Sequence, residues 1–390
     1  MLINLFNLNR SQLASHLESL GETAYRSQQI FKWIHQRGVV DFELMTDLSK
    51  PLRKKLMETT SIDVPSFGRE SISSDGTLKW LMPVDDANSV ESVYIPETDR
   101  GTLCVSSQAG CALECAFCAT GREGFNRNLE VAEILAQLWL VQNRFPIKRN
   151  HHMRLSNREA SRPVSNVVFM GMGEPLTNYD HVVSSLRVML DDCAYGLSRR
   201  KVTVSTSGIV PNIHRLREDC PVSLAVSLHA PNDELRDQLV PINKKYPLAE
   251  LMEACKRYTD SSIGKVVSGI KWQRKGSPRD FITFEYIMLD GVNDSTHHAR
   301  ELVELTRNVP CKVNLIPFNP FKESGFTRTD DAKVMKFQSS LHKNGLIVTV
   351  RKTRGDDIAG ACGQLAGQVK NRRTPRRQEA AGVVSGRVSQ

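Results

Sequence analysis

Cys111-Ala112-Leu113-Glu114-Cys115-Ala116-Phe117-Cys118 sets three cysteines in eight residues, spaced Cys-x3-Cys-x2-Cys, with an aromatic residue just before the last. Three thiolates this close in sequence meet at one centre only if the backbone loops around it. Soft sulfur ligands select zinc, copper(I) or an iron–sulfur cluster. A structural zinc closes its tetrahedron with four ligands, so a zinc site here needs Cys104 or Cys362 as the fourth. A four-iron cluster takes one sulfur ligand per iron. Three cysteines then leave one iron open, able to bind and reduce a second molecule.

Outward from this loop, strand-like runs alternate with helical periods. Strands are expected at 102–107, 165–171, 201–207, 221–229, 281–289, 312–319 and 346–352. Helices are expected near 128–143, 179–191, 211–217, 248–260, 295–307 and 330–343. This alternation predicts an α/β fold with a parallel sheet. About six βα units are too few for an eight-fold barrel and fit an open, partial one. Sites in such sheets lie at the carboxyl ends of the strands. Those ends carry the cysteine loop, Gly171-Met172-Gly173-Glu174-Pro175, Ser205-Thr206-Ser207-Gly208, Ser227-Leu228-His229 and Pro317-Phe318-Asn319-Pro320. The glycines of the second stretch let the backbone approach a ligand, and Glu174 can hold an ammonium group.

Upstream, residues 1–75 form an expected helical unit. Asn9 or Ser11 caps a helix carrying Leu13, Leu17 and Leu20, which stops at Gly21. A second helix is expected over 26–37 and a third over 50–58, with Lys32, Arg37, Arg53, Lys54 and Lys55 on exposed faces. Such a basic cluster suits phosphate contacts. Residues 77–83 and 90–96 alternate like the two strands of a hairpin, and Glu91 falls early in the second. Residues 76–101 therefore read as a hairpin extension, and 102–367 as the core with a loop after its final strand. In that loop Cys362 lies among small residues and follows Arg351, Lys352 and Arg354, which favour a thiolate. Two basic stretches, 151–163 and 269–279, read as surface loops, and 368–390 as a basic, disordered tail.

The chain has 390 residues and a net charge of +9, so an anionic partner such as nucleic acid fits. Nine cysteines without a secretory signal read as reduced thiols or metal ligands. No apolar run reaches the length of a membrane span, which gives an expectation of a cytoplasmic protein.

The cysteine triplet with Phe117 resembles the radical S-adenosylmethionine (SAM) superfamily. The stretches 103–118, 121–129, Met170-Gly171-Met172-Gly173-Glu174-Pro175-Leu176 and the Cys362 loop are together similar to the RlmN-type RNA adenine-C2 methyltransferases. The likeness runs to about residue 367; the two basic stretches and the tail depart from it. The resemblance implies a partial (β/α)6 radical SAM barrel with a small helical N-terminal, RNA-binding domain and a β-hairpin extension. It implies a [4Fe-4S] cluster on Cys111, Cys115 and Cys118. SAM contacts fall to Gly173, Glu174, Ser205, Ser227, Leu228, His229 and Asn319. It further implies two SAM molecules per turnover, one methylating Cys362 and one cleaved to a radical that activates the S-methyl group for addition to adenine C2. Glu91 then takes the C2 proton, and Cys104 attacks Cys362 to release product and leave a disulfide. The implied partners are 23S rRNA and tRNA, with an external electron donor such as a flavodoxin, acting on a monomer. The alternatives are a sister enzyme of the Cfr type that methylates adenine C8, a zinc-dependent RNA-binding module without catalysis, and a ferredoxin-like electron carrier.

Overall fold

The computed structural model describes residues 2–98, 100–145, 163–259, 281–321 and 324–368. The basic stretches 151–162 and 269–279 and the tail from 369 lie outside the described residues.

The N-terminal unit begins with β1 (Ile3–Asn4), which pairs in parallel with β2 (Thr60–Ser61) and so ties its two ends together. Between them lie α1 (Arg10–Ser19), α2 (Tyr25–Phe31) and α3 (Lys50–Thr59). Asn9 caps α1 by accepting the Gln12 N–H at 3.1 Å, and Gln12 returns a bond to the Asn9 N–H at 2.9 Å. This reciprocal box satisfies two otherwise orphaned donors. Leu13, Leu17, Ile30, Phe31, Leu52 and Leu56 are fully buried on the inner faces. Each such side chain contributes about 1.5–3 kcal/mol by leaving water. The second helix does not run straight to Arg37: a wide π-type turn takes over at Lys32–Gln36. The basic cluster is also less free than its spacing predicts. Arg53 donates to the Glu43 carbonyl and Lys55 to the Leu20 carbonyl, so both are half-buried and locally engaged.

Three antiparallel strands follow, β3 (Glu70–Ile72), β4 (Leu78–Pro83) and β5 (Ser89–Pro96). The hairpin of the sequence is present, with β3 as an added third strand. β5 pairs antiparallel with β6 (Gly101–Cys104), the first barrel strand. The extension and the barrel therefore share one ten-stranded sheet.

After β6 come β7 (Gln108–Gly110), the short helix α4 (Ala119–Arg122), β8 (Phe125–Asn128) and α5 (Val131–Arg144). The barrel continues with β9 (Asn166–Phe169), α6 (Tyr179–Leu190), β10 (Val202–Thr206), α7 (Val210–Asp219) and β11 (Ser223–Ser227). α8 (Asp233–Leu239) and α9 (Leu248–Thr259) precede β12 (Ile282–Met288). α10 (Thr296–Thr306), β13 (Cys311–Pro317), α11 (Asp331–Lys343) and β14 (Ile347–Val350) complete it. β6 and β9 to β14 pair in parallel in chain order. The result is a partial (β/α)6 barrel, open because β14 and β6 do not meet. Buried Val204, Leu224, Phe284 and Leu315 fill its wall. The polar stretches of the sequence collect at the carboxyl rim. Among the described residues no helix is long and apolar enough to cross a membrane.

Candidate active site

The cysteine loop hangs between β7 and β8, which pair antiparallel and close its neck. The Cys111 N–H donates to the Gly124 carbonyl at 2.8 Å. Gly110 sits in the left-handed region at φ 75°, and a Cβ there would overlap the Gly124 carbonyl oxygen, so only glycine fits. Within the loop the Cys118 N–H donates to the Cys115 carbonyl at 3.1 Å, and Ala116 N–H to the Leu239 carbonyl at 3.1 Å. Cys111, Cys115 and Cys118 then line one cavity of about 880 Å³, counted with its open mouth. Burial pushes the Cys115 thiol up to about 12 and raises Cys111 and Cys118 as well. Without a bound cation the three sulfurs are neutral thiols, and positive iron would reverse that. Among the described residues no three His, Cys, Asp or Glu side chains gather tightly enough to hold one metal ion. Three sulfurs lining one cavity supply the donor set of a four-iron cluster, one sulfur per iron with one iron left open.

The same cavity is lined by Gly171, Gly173, Glu174, Ser205, Ser227 and His229. Glu174 is buried, and its carboxylate accepts the Ser207 N–H at 2.8 Å and the Leu176 N–H at 3.2 Å. Burial raises this carboxyl and the backbone donors oppose the rise. His229 stands at φ 59°, an uncommon conformation for a residue with a Cβ. Its Nδ1 accepts the Ile287 N–H at 3.0 Å, and Phe117 packs edge-on at 4.4 Å. Burial lowers His229 to about 3. The ring is therefore neutral and its proton sits on Nε2.

A second cavity, lined by Cys104, Asn319, Arg351, Lys352, Arg354 and Cys362 among others, adjoins the first. Cys362 and Arg351 line both. Asn319 belongs to the second cavity, where its Oδ1 accepts the Thr353 hydroxyl at 3.3 Å. Leu228 is fully buried and lines neither; its carbonyl accepts Arg236 Nε at 3.0 Å. Burial pushes the Cys104 thiol up to about 12, with Cys362 adding to the rise. Burial likewise raises Cys362; the buried Arg351 guanidinium, hydrogen-bonded to it, opposes the rise without cancelling it, so the thiol is less acidic than the basic neighbours alone predict. Glu91 lines neither cavity. It sits on β5, ion-paired with Lys79 at 2.9 Å and accepting the Ala366 N–H at 3.1 Å.

Four residues escaped the sequence reading. Gln108 accepts the Glu174 N–H at 2.8 Å. Arg236 is fully buried and braces the rim, donating to the carbonyls of Ser207 at 2.7 Å and Ser227 at 3.0 Å. Glu285 lines the first cavity, where Asn314 Nδ2 donates to it at 2.9 Å. Glu123 has a buried carboxylate oxygen with no hydrogen-bond partner among the described residues, and burial with nearby Glu91 raises it to about 7. A polar or charged residue on a helix or strand reads as a solvated face, and no local spacing marks these four as inward-facing.

The family model for the ribosomal RNA large subunit methyltransferase N-terminal domain matches residues 3–62, and that for the radical SAM superfamily matches residues 155–303. A crystal structure of a radical SAM methyltransferase from Sphaerobacter thermophilus is 40% identical. It matches over 93% of this chain and 99% of its own, with a TM-score of 0.78. A domain of pyruvate-formate lyase-activating enzyme from Bacteroides vulgatus is 14% identical, over 48% of this chain and 99% of its own, at a TM-score of 0.33. SuiB of Streptococcus suis, solved with S-adenosylmethionine, is 12% identical over 48% of this chain and 38% of its own, at 0.34. The last two likenesses are too remote to bear on function. The chain belongs to the RlmN-type family of radical SAM methyltransferases.

Proposed function

We propose that this chain methylates carbon 2 of an adenosine in RNA, in 23S rRNA and in tRNA, with Cys362 carrying the methyl group. The observation that supports this most is the place of Cys362, in the wall common to a cavity lined by the three loop cysteines and a cavity lined by Cys104. A sulfur so placed can receive a methyl group on one side and meet a second thiol on the other.

Adenine C2 is an electron-poor ring carbon without a lone pair, so it cannot attack a sulfonium methyl. The bound [4Fe-4S] cluster and SAM supply the one-electron chemistry that such a carbon requires. Cys111, Cys115 and Cys118 hold the cluster. Gly173, Glu174, Ser205, Ser227 and His229 line the space for SAM. Arg351 would steady the Cys362 sulfur as a thiolate while it takes a methyl group from one SAM, S-adenosylhomocysteine leaving; a second SAM is required in the same turnover. Once the Cys362 S-methyl carbon has bonded to C2, the C2 proton would pass to Glu91, which lines neither cavity but sits on β5 beside the Cys362 loop; such work needs a carboxylate within hydrogen-bond reach of the proton. The Cys104 sulfur then attacks the Cys362 sulfur. The sulfur–carbon bond breaks with its electron pair on the carbon, which takes up a proton to become the methyl group, and a disulfide remains for an external reductant.

The adenine must leave its stack to enter, so a loop or a distorted helix of RNA is the substrate. Electrons come from an outside donor of the flavodoxin type. The test is reaction of the anaerobically reconstituted protein with 23S rRNA fragments and tRNA, followed by digestion and mass spectrometry. The expected product is 2-methyladenosine. Recovery of 8-methyladenosine would overturn the choice of ring carbon, and no methylated base from either RNA would overturn the substrate.

A further inference from the structure

The segment from Arg351 to Gly367 follows β14 and carries Cys362, yet its own regular structure is a single short turn, Asp356–Ile358. Its backbone is bent three times into the left-handed region, at Gly355 (φ 63°), Ala359 (φ 50°) and Gly363 (φ 82°). The second is unfavourable for a residue with a Cβ. A loop so shaped keeps one conformation only if outside contacts hold it.

Next to the cysteine, the Ala119 N–H and the Thr120 hydroxyl of α4 donate to the Gly363 and Leu365 carbonyls at 2.9 and 2.6 Å; before it, the contacts come from the antiparallel extension. The turn between β3 and β4 is closed on itself, with the Ser73 N–H donating to the Thr77 carbonyl at 2.8 Å. From this turn the Ser73 hydroxyl and the Ser74 N–H, the latter at 2.9 Å, both donate to the Asp357 carboxylate. In return the Gly355 N–H donates to Asp75 Oδ2 at 3.1 Å, and the Arg354 guanidinium lies 3.8 Å from the same oxygen. Lys79 Nζ donates to the Ala359 carbonyl at 3.2 Å while ion-pairing with Glu91. Beyond Cys362, Glu91 takes the Ala366 N–H, and Ser89 and Gln368 exchange bonds of 2.7 and 3.1 Å. The loop is thus gripped by one wall on both sides of its cysteine. Hydrogen bonds hold Asp75 down to about 2 against the opposing effect of burial, and they lower Asp357. Both are carboxylates at neutral pH.

We infer that Asp75, Lys79 and Asp357 form a clasp whose role is to set Cys362 at the boundary of the two cavities. They are positioning residues: none of them lines either cavity. The clasp acts through the two residues of chain between Ala359 and Cys362, and it ties the cysteine to β4, whose Lys79 pairs with Glu91 on the neighbouring strand β5. The proposal rests on Cys362 being the methyl carrier.

The test compares Asp357→Ala, Asp357→Asn, Ser73→Ala, the Ser73→Ala/Asp357→Ala double variant and Lys79→Met with the wild type, each as the full chain reconstituted anaerobically. Five quantities are read: iron content, Cys362 methylation after SAM alone by peptide mass spectrometry, kcat and KM for RNA, and hydrogen exchange across 354–362. Asp357→Ala is expected to keep its iron and its KM, to lose at least fivefold in kcat, and to exchange faster across the loop. Asp357→Asn, which keeps an acceptor, should regain most of the rate. The double variant should be no slower than Asp357→Ala, because the pair acts as one contact. If Asp357→Ala does not fold, Lys79→Met carries the same expectation from the other side of the loop. Wild-type kcat and exchange in Asp357→Ala, or fully additive losses in the double variant, would overturn the clasp. Absence of methyl on wild-type Cys362 would instead overturn the carrier role beneath it.

Discussion

The Glu91 carboxylate accepts the backbone N–H of Ala366 at 3.1 Å, four residues beyond Cys362. One oxygen therefore serves the loop while Lys79 pairs with the other at 2.9 Å. Glu91→Gln keeps an acceptor for Ala366 but no longer takes up a proton. The expected result is normal iron content with turnover lower by about 10²–10⁴-fold, the usual contribution of a positioned base. Steady-state methylation assays beside iron analysis check this; a loss of less than tenfold would remove Glu91 from proton transfer.

Cys362 is hydrogen-bonded to Arg351 and shares a cavity with Cys104. Cys362→Ala removes a sulfur from outside the cysteine loop, so cluster and SAM binding should persist. No methyl group should reach RNA. Iron content, SAM binding and product analysis on one preparation suffice, and full turnover by the variant contradicts the carrier role.

Cys104 is buried and faces the Cys362 cavity. Cys104→Ala leaves nothing to displace the product from Cys362. A covalent protein–RNA species should accumulate and migrate slowly on a denaturing gel. Its complete absence, with product still released, would assign release to another group.

Glu123 brings pH into stability. Its carboxyl is raised from 4.5 to about 7 by burial and by Glu91. Between those values the unfolded chain has lost the proton and the folded chain still holds it, so stability falls as pH rises through that window. Glu123→Gln removes the dependence. The variant should melt higher than the wild type at pH 8 and gain little at pH 5, with solvent screening keeping the difference on the order of 1–2 °C. A difference independent of pH would show that the carboxyl titrates normally.

Much of the barrel is legible in the sequence because each strand is a short apolar run between turn residues. The expected strand 281–289 appears as Ile282–Met288, and the expected helix 330–343 as Asp331–Lys343 capped by Asp330. Boundaries shrink at the carboxyl ends, where the strand 102–107 stops at Cys104. There the chain leaves the ladder to start the cysteine loop. β3 escaped notice because three residues of mixed polarity carry no period. Within the site, residues on motifs were visible and residues that brace motifs were not. Glycines and cysteines mark their own loops, whereas Arg236 and Glu285 look like ordinary charges until the rim folds over them. Asn319 shows the limit of rim counting: it lies at a strand end as expected, but beside the second cavity.

The central claim is that the methyl carbon passes through Cys362. The direct measurement is a single turnover by protein whose Cys362 already bears an ordinary methyl group, given SAM with a deuterated methyl. The product adenosine is predicted to carry the carbon already on the protein and therefore no full deuterium label. A first product bearing the fully deuterated methyl group would mean direct transfer from SAM, and would contradict the account.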